Sequence, residues 1–150
     1  MDYKFRVVIH HLLCDAWGVA PERLWDEALV RRFLHEATSR LGMTPLWQSV
    51  RGYHHPSDPS HDGLSALALI ADTPSAVLHA KESHIALHAW PALGYLAAEA
   101  ASCRPVDKAA FLGLVEGLYA PKDILSAHLP RGCPLPADLA DAVLKPYQSD

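Results

Sequence analysis

The chain has 150 residues, with 13 Lys or Arg and 17 Asp or Glu, so its net charge at pH 7 is −4 with neutral histidines. The basic side chains do not cluster, which argues against a nucleic-acid partner because phosphate binding needs a positive surface. No run reaches the ~18 apolar residues of a membrane span, and the start of the chain lacks a signal-peptide pattern. We therefore predict one cytoplasmic domain over 1–150, with a small-molecule or protein partner and no membrane partner.

The first predicted elements are a strand, a helix and a second strand. The apolar run from Phe5 to Leu13 is typical of a buried strand, and Asp15 to Val19 is predicted to turn the chain. A helix is predicted to start at Pro21 and to stop at Gly42. Its apolar residues recur at four-residue spacing: Trp25, Leu29, Phe33, Ala37 and Leu41. A short strand is predicted from Leu46 to Val50.

The segment from Arg51 to Gly63 holds three histidines, two prolines and two aspartates with no period, so we predict a loop or an insertion. His54, His55 and His61 lack the fixed ligand spacing of a closed zinc site, and surface histidines are the better interpretation. The three cysteines, Cys14, Cys103 and Cys133, contain no Cys-x-x-Cys pair and are predicted to be free thiols. No metal site is predicted.

Short apolar runs with breaks dominate the second half and predict strands of one mostly antiparallel sheet. These runs are Leu64 to Ala71, Ala76 to Ala80, Ile85 to Trp90, and Gly94 to Ser102. A second helix is predicted from Val106 to Tyr119 and a last strand from Asp123 to His128. Residues 130–150 contain several prolines and are predicted to form an irregular tail, with a short helix near Leu139 to Leu144. Strands with helices on one face predict an α+β fold, a two-layer sandwich.

One stretch, from Lys81 to Pro91, has a residue order that suggests chemistry. Ser83 follows Glu82 and precedes two histidines, so it could be a nucleophile with a nearby base. However, no Gly-x-Ser-x-Gly elbow surrounds it, and a regular strand would point Ser83 and His88 to opposite faces. If both residues act, the strand must bend or begin at Ser83. The alternative is that these are polar residues of a half-exposed strand.

The motif resembles the prokaryotic S-adenosylmethionine decarboxylases. Its residues are Glu82-Ser83-His84-Ile85-x-x-His88-x-Trp90-Pro91, followed by Gly94-Tyr95 and Cys103. The same intervals separate Glu-Ser-His, His, Trp-Pro, Gly and Cys in that family. The resemblance extends to His11-Leu12-Leu13-x-Asp15 and to the strand before Arg131-Gly132, and leaves out only the 51–63 loop and the tail.

This resemblance implies a self-processing proenzyme that is cut between Glu82 and Ser83. The Ser83 hydroxyl would attack the Glu82 carbonyl in an N-to-O acyl shift, and β-elimination would then break the chain. The products would be a β chain, 1–82, and an α chain, 83–150, that begins with a pyruvoyl group formed from Ser83. The resemblance assigns the elimination base to His88 and an oxyanion-assisting role to Ser75.

The activity implied by the resemblance is a decarboxylation in polyamine (spermidine) biosynthesis, by a homodimer of processed protomers with active sites near the subunit interface. The pyruvoyl ketone forms a Schiff base with the substrate amine and accepts the electrons released with carbon dioxide. Cys103 would return the proton to the α-carbon. The predicted substrate contacts are Glu82, Trp90 and Leu69.

Two substitutions alter the implied substrate site. Ala92 follows Pro91 where the family has the glutamate that binds the ribose, and Leu69 replaces the phenylalanine that stacks on adenine. Three hypotheses follow. The chain decarboxylates S-adenosylmethionine through other contacts, or it uses the same chemistry on a small amino acid such as ornithine or arginine, or it is an uncleaved, non-enzymatic binding or regulatory subunit.

Overall fold

The computed structural model describes residues 3–52 and 73–136. The elements are β1 (Tyr3–Trp17), α1 (Pro21–Leu24), α2 (Glu27–Arg40), β2 (Pro45–Arg51), β3 (Ser75–Ala80), β4 (Ser83–Trp90), β5 (Tyr95–Ser102), α3 (Lys108–Tyr119) and β6 (Asp123–Pro136). A 3₁₀ turn, Pro91–Leu93, connects β4 to β5. The three histidines of the 51–63 loop, the predicted strand 64–71 with Leu69, and residues 137–150 lie outside the described residues.

The strands of the described residues form one six-stranded sheet in the order β2-β3-β4-β5-β1-β6, and every neighbouring pair is antiparallel. Alternate residues of the inner strands are buried on one face and form the core with α2 and α3. Between these two helices, the ring of Phe33 lies 5.8 Å from that of Phe111 and 5.9 Å from that of Tyr119. The predicted α+β two-layer sandwich is confirmed.

The opposite face of the sheet carries exposed apolar side chains. Trp17 is 40% exposed, Trp47 59%, Leu125 62% and Leu129 52%. Strand alternation and the pairing register place all four on this face, which we call the open face. In the described ranges, no helix combines the length and the apolar character that a membrane crossing requires.

Two predictions for the first half of the chain are wrong in detail. Asp15 to Val19 was predicted as a turn, but β1 continues to Trp17 because β5 and β6 pair with it on both sides. The predicted single helix is two, since Asp26 lies outside helical geometry and accepts a hydrogen bond of 3.0 Å from the backbone N–H of Leu29. Asp26 is therefore the N-cap of α2. Gly42, with φ +62°, ends this helical segment as predicted.

The irregular tail predicted from Pro130 is also wrong over its first residues. β6 does not stop at His128 but continues to Pro136, paired with β1 as far as Tyr3. Pro130, Pro134 and Pro136 are compatible with this strand because β6 lies at the edge of the sheet, where a missing N–H breaks no second ladder.

Candidate active site

The bond between Glu82 and Ser83 lies where a β-hairpin meets the end of the neighbouring strand. Lys81 and Glu82 form the two-residue turn between β3 and β4, and β4 begins at Ser83, as the sequence required if Ser83 is to act. Ser83 pairs with Ser102, the last residue of β5, so Cys103 comes next to Glu82. The backbone N–H of Cys103 donates a hydrogen bond of 3.1 Å to the Glu82 carbonyl oxygen.

This hydrogen bond polarises the carbonyl that Ser83 is predicted to attack. A backbone N–H aimed at a carbonyl oxygen is the type of donor that stabilises a developing oxyanion. The Cys103 side chain is a half-buried free thiol. Of the predicted catalytic residues, the structure therefore brings Ser83 and Cys103 together at the predicted cleavage site.

Thr44 holds Glu82 from the other side. The Glu82 carboxylate accepts hydrogen bonds from the backbone N–H of Thr44, at 2.7 Å, and from its hydroxyl, at 3.2 Å. The carbonyl oxygen of Thr44 accepts a hydrogen bond of 2.9 Å from the backbone N–H of Lys81. Glu82 is only 8% exposed, so this contact anchors the bond on its N-terminal side. The sequence pattern does not indicate Thr44, since nothing local links this residue to one 38 positions later.

The Glu82 carboxyl is held in its charged form. Burial by itself would raise its pKa, but hydrogen bonds from Thr44 and from the backbone of Glu82 outweigh burial, and the charge of Arg104 adds to them. The result is a pKa below the ordinary value. The substrate-contact role of Glu82 stays a prediction, since both of its carboxylate oxygens are bound to Thr44 here.

A second group of side chains contacts Ser83 directly. The Ser83 Oγ lies 3.1 Å from Nδ1 of His84, and Nε2 of the same ring lies 3.0 Å from a carboxylate oxygen of Glu99 on β5. The side chains of His84 and Glu99 are 28% and 37% exposed. The sequence motif does not include Glu99, although it is the one carboxylate of β5 and strand alternation puts it on the same face as His84.

Ser75 and His88 lie at the far end of the same strands. They pair directly across β3 and β4, whereas the partner of Ser83 on β3 is Ala80. At ~3.3 Å per residue, the five positions from Ser83 to His88 correspond to about 16 Å along the strand. A single protomer therefore brings Ser75 and His88 to each other but not to Ser83.

The open face between these two groups forms a groove, and the His88 ring in its lining lies 6.1 Å from the ring of Trp90. Ser75, His84, His88 and Glu99 line the groove, whose volume is about 510 Å³. Trp90 stacks on Tyr95 with ring centroids 5.0 Å apart, and Tyr95 stacks on Trp17 at 6.1 Å. Burial, together with a hydrogen bond to Asp15, raises the pKa of the Tyr95 hydroxyl to about 12.

Two further features are Ala92, beyond the opposite end of β4 from the cleavage bond, and a second pocket. Ala92 is exposed in the turn Pro91–Leu93. A second pocket, of about 390 Å³, opens between α2 and β2 and is lined by residues such as His35 and Leu46. Among residues 3–52 and 73–136, no three His, Cys, Asp or Glu side chains come together in a way that could hold a metal ion.

Residues 10–132 match the sequence profile of the family described as S-adenosylmethionine decarboxylase. The chain belongs to this family. It is accordingly a pyruvoyl-dependent decarboxylase, and the resemblance stated from the sequence motif is confirmed. The match includes the whole of β4 and β5 and the turn at Glu82.

The relatives of this chain include two kinds of decarboxylase proenzyme. The chain is 31% identical over 140 residues to the S-adenosylmethionine decarboxylase proenzyme of Parasynechococcus marenigrum, covering 92% of this chain and 94% of that protein. It is also 31% identical over 135 residues to the arginine decarboxylase proenzyme of Ignicoccus hospitalis, covering 86% and 81%. The crystal structure of the adenosylmethionine decarboxylase from Aquifex aeolicus shares the fold, with a TM-score of 0.62 at 20% identity, covering 85% of this chain and 93% of that one.

The contact of Glu82 with Thr44 gives a pH-dependent prediction. In the Ser83→Ala background, which keeps the chain intact, Glu82→Gln should lower the free energy of unfolding at pH 7 by roughly 1–3 kcal/mol, since a charged hydrogen bond is weakened in a buried site. Because the folded-state pKa of Glu82 is depressed, its contribution is present above about pH 4.5 and is lost as the pH falls through the folded value. Urea unfolding at several pH values measures the difference.

A matched control is Glu22→Gln, which changes an exposed carboxylate on α1 and should alter stability by less than about 0.5 kcal/mol. A stability difference between the Ser83→Ala parent and its Glu82→Gln variant that stays constant down to acid pH would contradict the predicted role of the Thr44 contact.

Proposed function

We propose that this chain cleaves itself between Glu82 and Ser83 and then uses the pyruvoyl group formed from Ser83 to decarboxylate S-adenosylmethionine for polyamine synthesis. The main support is the 3.1 Å hydrogen bond from the Cys103 backbone to the Glu82 carbonyl. It joins the scissile carbonyl to the residue that the family resemblance assigns to proton return. A cytoplasmic location stays a prediction from the sequence.

The first step converts the peptide bond into an ester. The Ser83 Oγ attacks the Glu82 carbonyl carbon, and negative charge develops on the oxygen that accepts the hydrogen bond from Cys103. The carbon–nitrogen bond then breaks and the Ser83 nitrogen becomes a free amine. Glu82 stays in place throughout because Thr44 holds its carboxylate.

The second step breaks the chain. The α-proton of Ser83 passes to His88, and the bond between Cβ and Oγ breaks, so that Glu82 leaves as the carboxylate end of 1–82. Water then adds at the former serine and ammonia leaves, which gives the pyruvoyl group at the start of 83–150. Once formed, this group supplies the electron acceptor for loss of carbon dioxide. The half-buried Cys103 thiol returns the proton to the product. Ser75 assists in the first step, while the oxyanion forms.

We further propose a homodimer in which the open faces of two protomers pack together. Trp17, Leu125 and Leu129 are large apolar side chains exposed on this face, which favours its burial in an assembly. The roughly 16 Å between Ser83 and His88 on one strand is too far for proton transfer. Ser75 and His88 would therefore serve the cleavage site of the partner protomer.

A second candidate substrate is arginine or another small basic amino acid. Ala92 is exposed and has no carboxylate with which to bind a ribose, so one expected contact to a nucleoside is absent at this position. One relative of comparable identity is called an arginine decarboxylase proenzyme. S-adenosylmethionine remains the first candidate because the match to the S-adenosylmethionine decarboxylase proenzyme covers 92% of this chain, and the match to the arginine decarboxylase proenzyme covers 86%.

The processing test is electrophoresis and intact mass of the wild-type protein and of Ser83→Ala. We expect the wild type to convert from 16.4 kDa into fragments 1–82 and 83–150, with a pyruvoyl group on the second. Ser83→Ala should stay whole, because its side chain has no nucleophile. A wild-type protein that remains a single full-length chain would refute self-cleavage and favour the uncleaved binding or regulatory subunit.

The substrate test compares carbon dioxide release from S-adenosylmethionine, arginine, ornithine and lysine by the processed enzyme. We expect S-adenosylmethionine to have the highest kcat/KM. The missing ribose contact should reduce the preference for S-adenosylmethionine over the other substrates by about 1–3 kcal/mol of binding free energy. Ala92→Glu should then lower KM for this substrate and leave arginine turnover unchanged. Turnover of arginine alone would select the second candidate.

The shared site is tested by mixing two inactive chains. Ser83→Ala lacks the nucleophile and His88→Ala lacks the elimination base, and neither alone should be cleaved. Co-expressed with different tags, they should form mixed dimers in which the His88→Ala chain is cleaved, because its Ser83 meets an intact His88 on the partner. Absence of cleavage in isolated mixed dimers would show that the two residues act within one protomer.

A further inference from the structure

We infer that His84, held by Glu99, is the base that takes the hydroxyl proton of Ser83 in the first step of self-cleavage. This inference rests on the proposed function, since it concerns how the ester forms. The observation behind it is a chain of contacts: Ser83 Oγ to His84 Nδ1 at 3.1 Å, and His84 Nε2 to Glu99 at 3.0 Å.

The direction of both hydrogen bonds follows from the chemistry of the partners. A neutral imidazole has one N–H and one lone pair, and a carboxylate can only accept. Glu99 therefore requires the hydrogen on Nε2, which leaves the lone pair on Nδ1 facing the Ser83 hydroxyl. A base hydrogen-bonded to the nucleophile, with a third group fixing the tautomer of the base, is the arrangement that activates a serine.

The proton balance closes without another reagent. As Oγ bonds to the Glu82 carbonyl carbon, its proton moves to His84 Nδ1, and the resulting imidazolium donates to Glu99 through Nε2. When the carbon–nitrogen bond breaks, the same proton passes from His84 to the Ser83 nitrogen. His84 is neutral at the end, and the products of the step are an ester and an amine.

Among the histidines that surround Ser83 in the described residues, His84 is the one in hydrogen-bond contact with it. The His11 ring on β1 lies 6.2 Å from the His84 ring, measured between centroids. His79 on β3 pairs with His84 across the ladder, and Glu99 on β5 contacts the His84 ring. Neither His11 nor His79 has a hydrogen bond to Ser83 among the contacts of the described residues. The two histidines of the motif thus have separate tasks: His84 in ester formation and His88 in elimination.

The experiment separates these two steps by trapping the ester. In His88→Ala, elimination is blocked and the ester should accumulate, so hydroxylamine, which cleaves esters much faster than amides, should split the chain between Glu82 and Ser83. In the double variant His84→Ala, His88→Ala, the hydroxylamine-sensitive fraction should form on the order of 100-fold more slowly, since general-base catalysis contributes 10²–10⁴-fold. Added imidazole should restore part of this rate.

Glu99 is tested as a positioning residue in the same His88→Ala background. Glu99→Gln keeps the size of the side chain but not its charge, and ester formation should slow by roughly 10-fold, less than for a fully buried carboxylate because the pair is partly exposed. Glu99→Asp should recover part of the rate. His35→Ala, which removes an exposed histidine on α2, is the matched control and should behave like its parent.

The possible results distinguish this inference from the proposed function. If the wild type never cleaves and His88→Ala gives no hydroxylamine-sensitive bond, the proposed function fails. If His88→Ala traps the ester and the double variant traps it equally fast, only the role of His84 is overturned. A slow double variant that imidazole cannot rescue, together with a Glu99→Gln protein as fast as its parent, would also overturn it and leave His84 as a structural residue.

Discussion

The register of β4 against β5 is the constraint on which the site depends. Ser83 lies opposite Ser102, and this pairing places the Cys103 backbone next to the Glu82 carbonyl and Glu99 next to His84. Because side chains alternate along a strand, a slip of one residue would turn His84 towards the helices and bring a core leucine or alanine to the open face. The buried face, with Ile85, Leu87 and Ala89 fully enclosed, resists such a slip. Packing of the core thus fixes the geometry of the chemistry on the other side of the sheet.

The local parts of this arrangement are predictable from the sequence. β3, β4, β5 and α3 were placed within two residues, because their apolar residues alternate or recur with the proper period and Gly or Pro residues bound them. The errors came from long-range partners. Asp15 continues a strand because β5 and β6 flank it, and β6 passes through three prolines because β1 extends beside it. Asp26 interrupts the helix, yet the apolar stripe continues across it.

The site was predictable only where its parts lie close together in the sequence. Ser83 and Cys103 could be associated because one hairpin separates them and the family spacing matches. The contact of Thr44 with Glu82 joins parts of the chain with no shared pattern, so only the folded structure reveals it. The motif contained both His84 and His88, but it did not say which ring lies against Ser83. Ala92 belongs to an exposed turn, where a change of side chain disturbs no packing.

The order of strands in the sheet has a consequence for a chain that is cut between Glu82 and Ser83. The first fragment contributes β1, β2 and β3, and the second contributes β4, β5 and β6, yet β1 lies between β5 and β6. The two polypeptides are therefore interleaved within one sheet, and three of the five boundaries between its described strands join one fragment to the other. Separation would require breaking the β3–β4, β5–β1 and β1–β6 ladders together with the shared core. The broken peptide bond can thus become a reactive end group while the two fragments remain a single folded body.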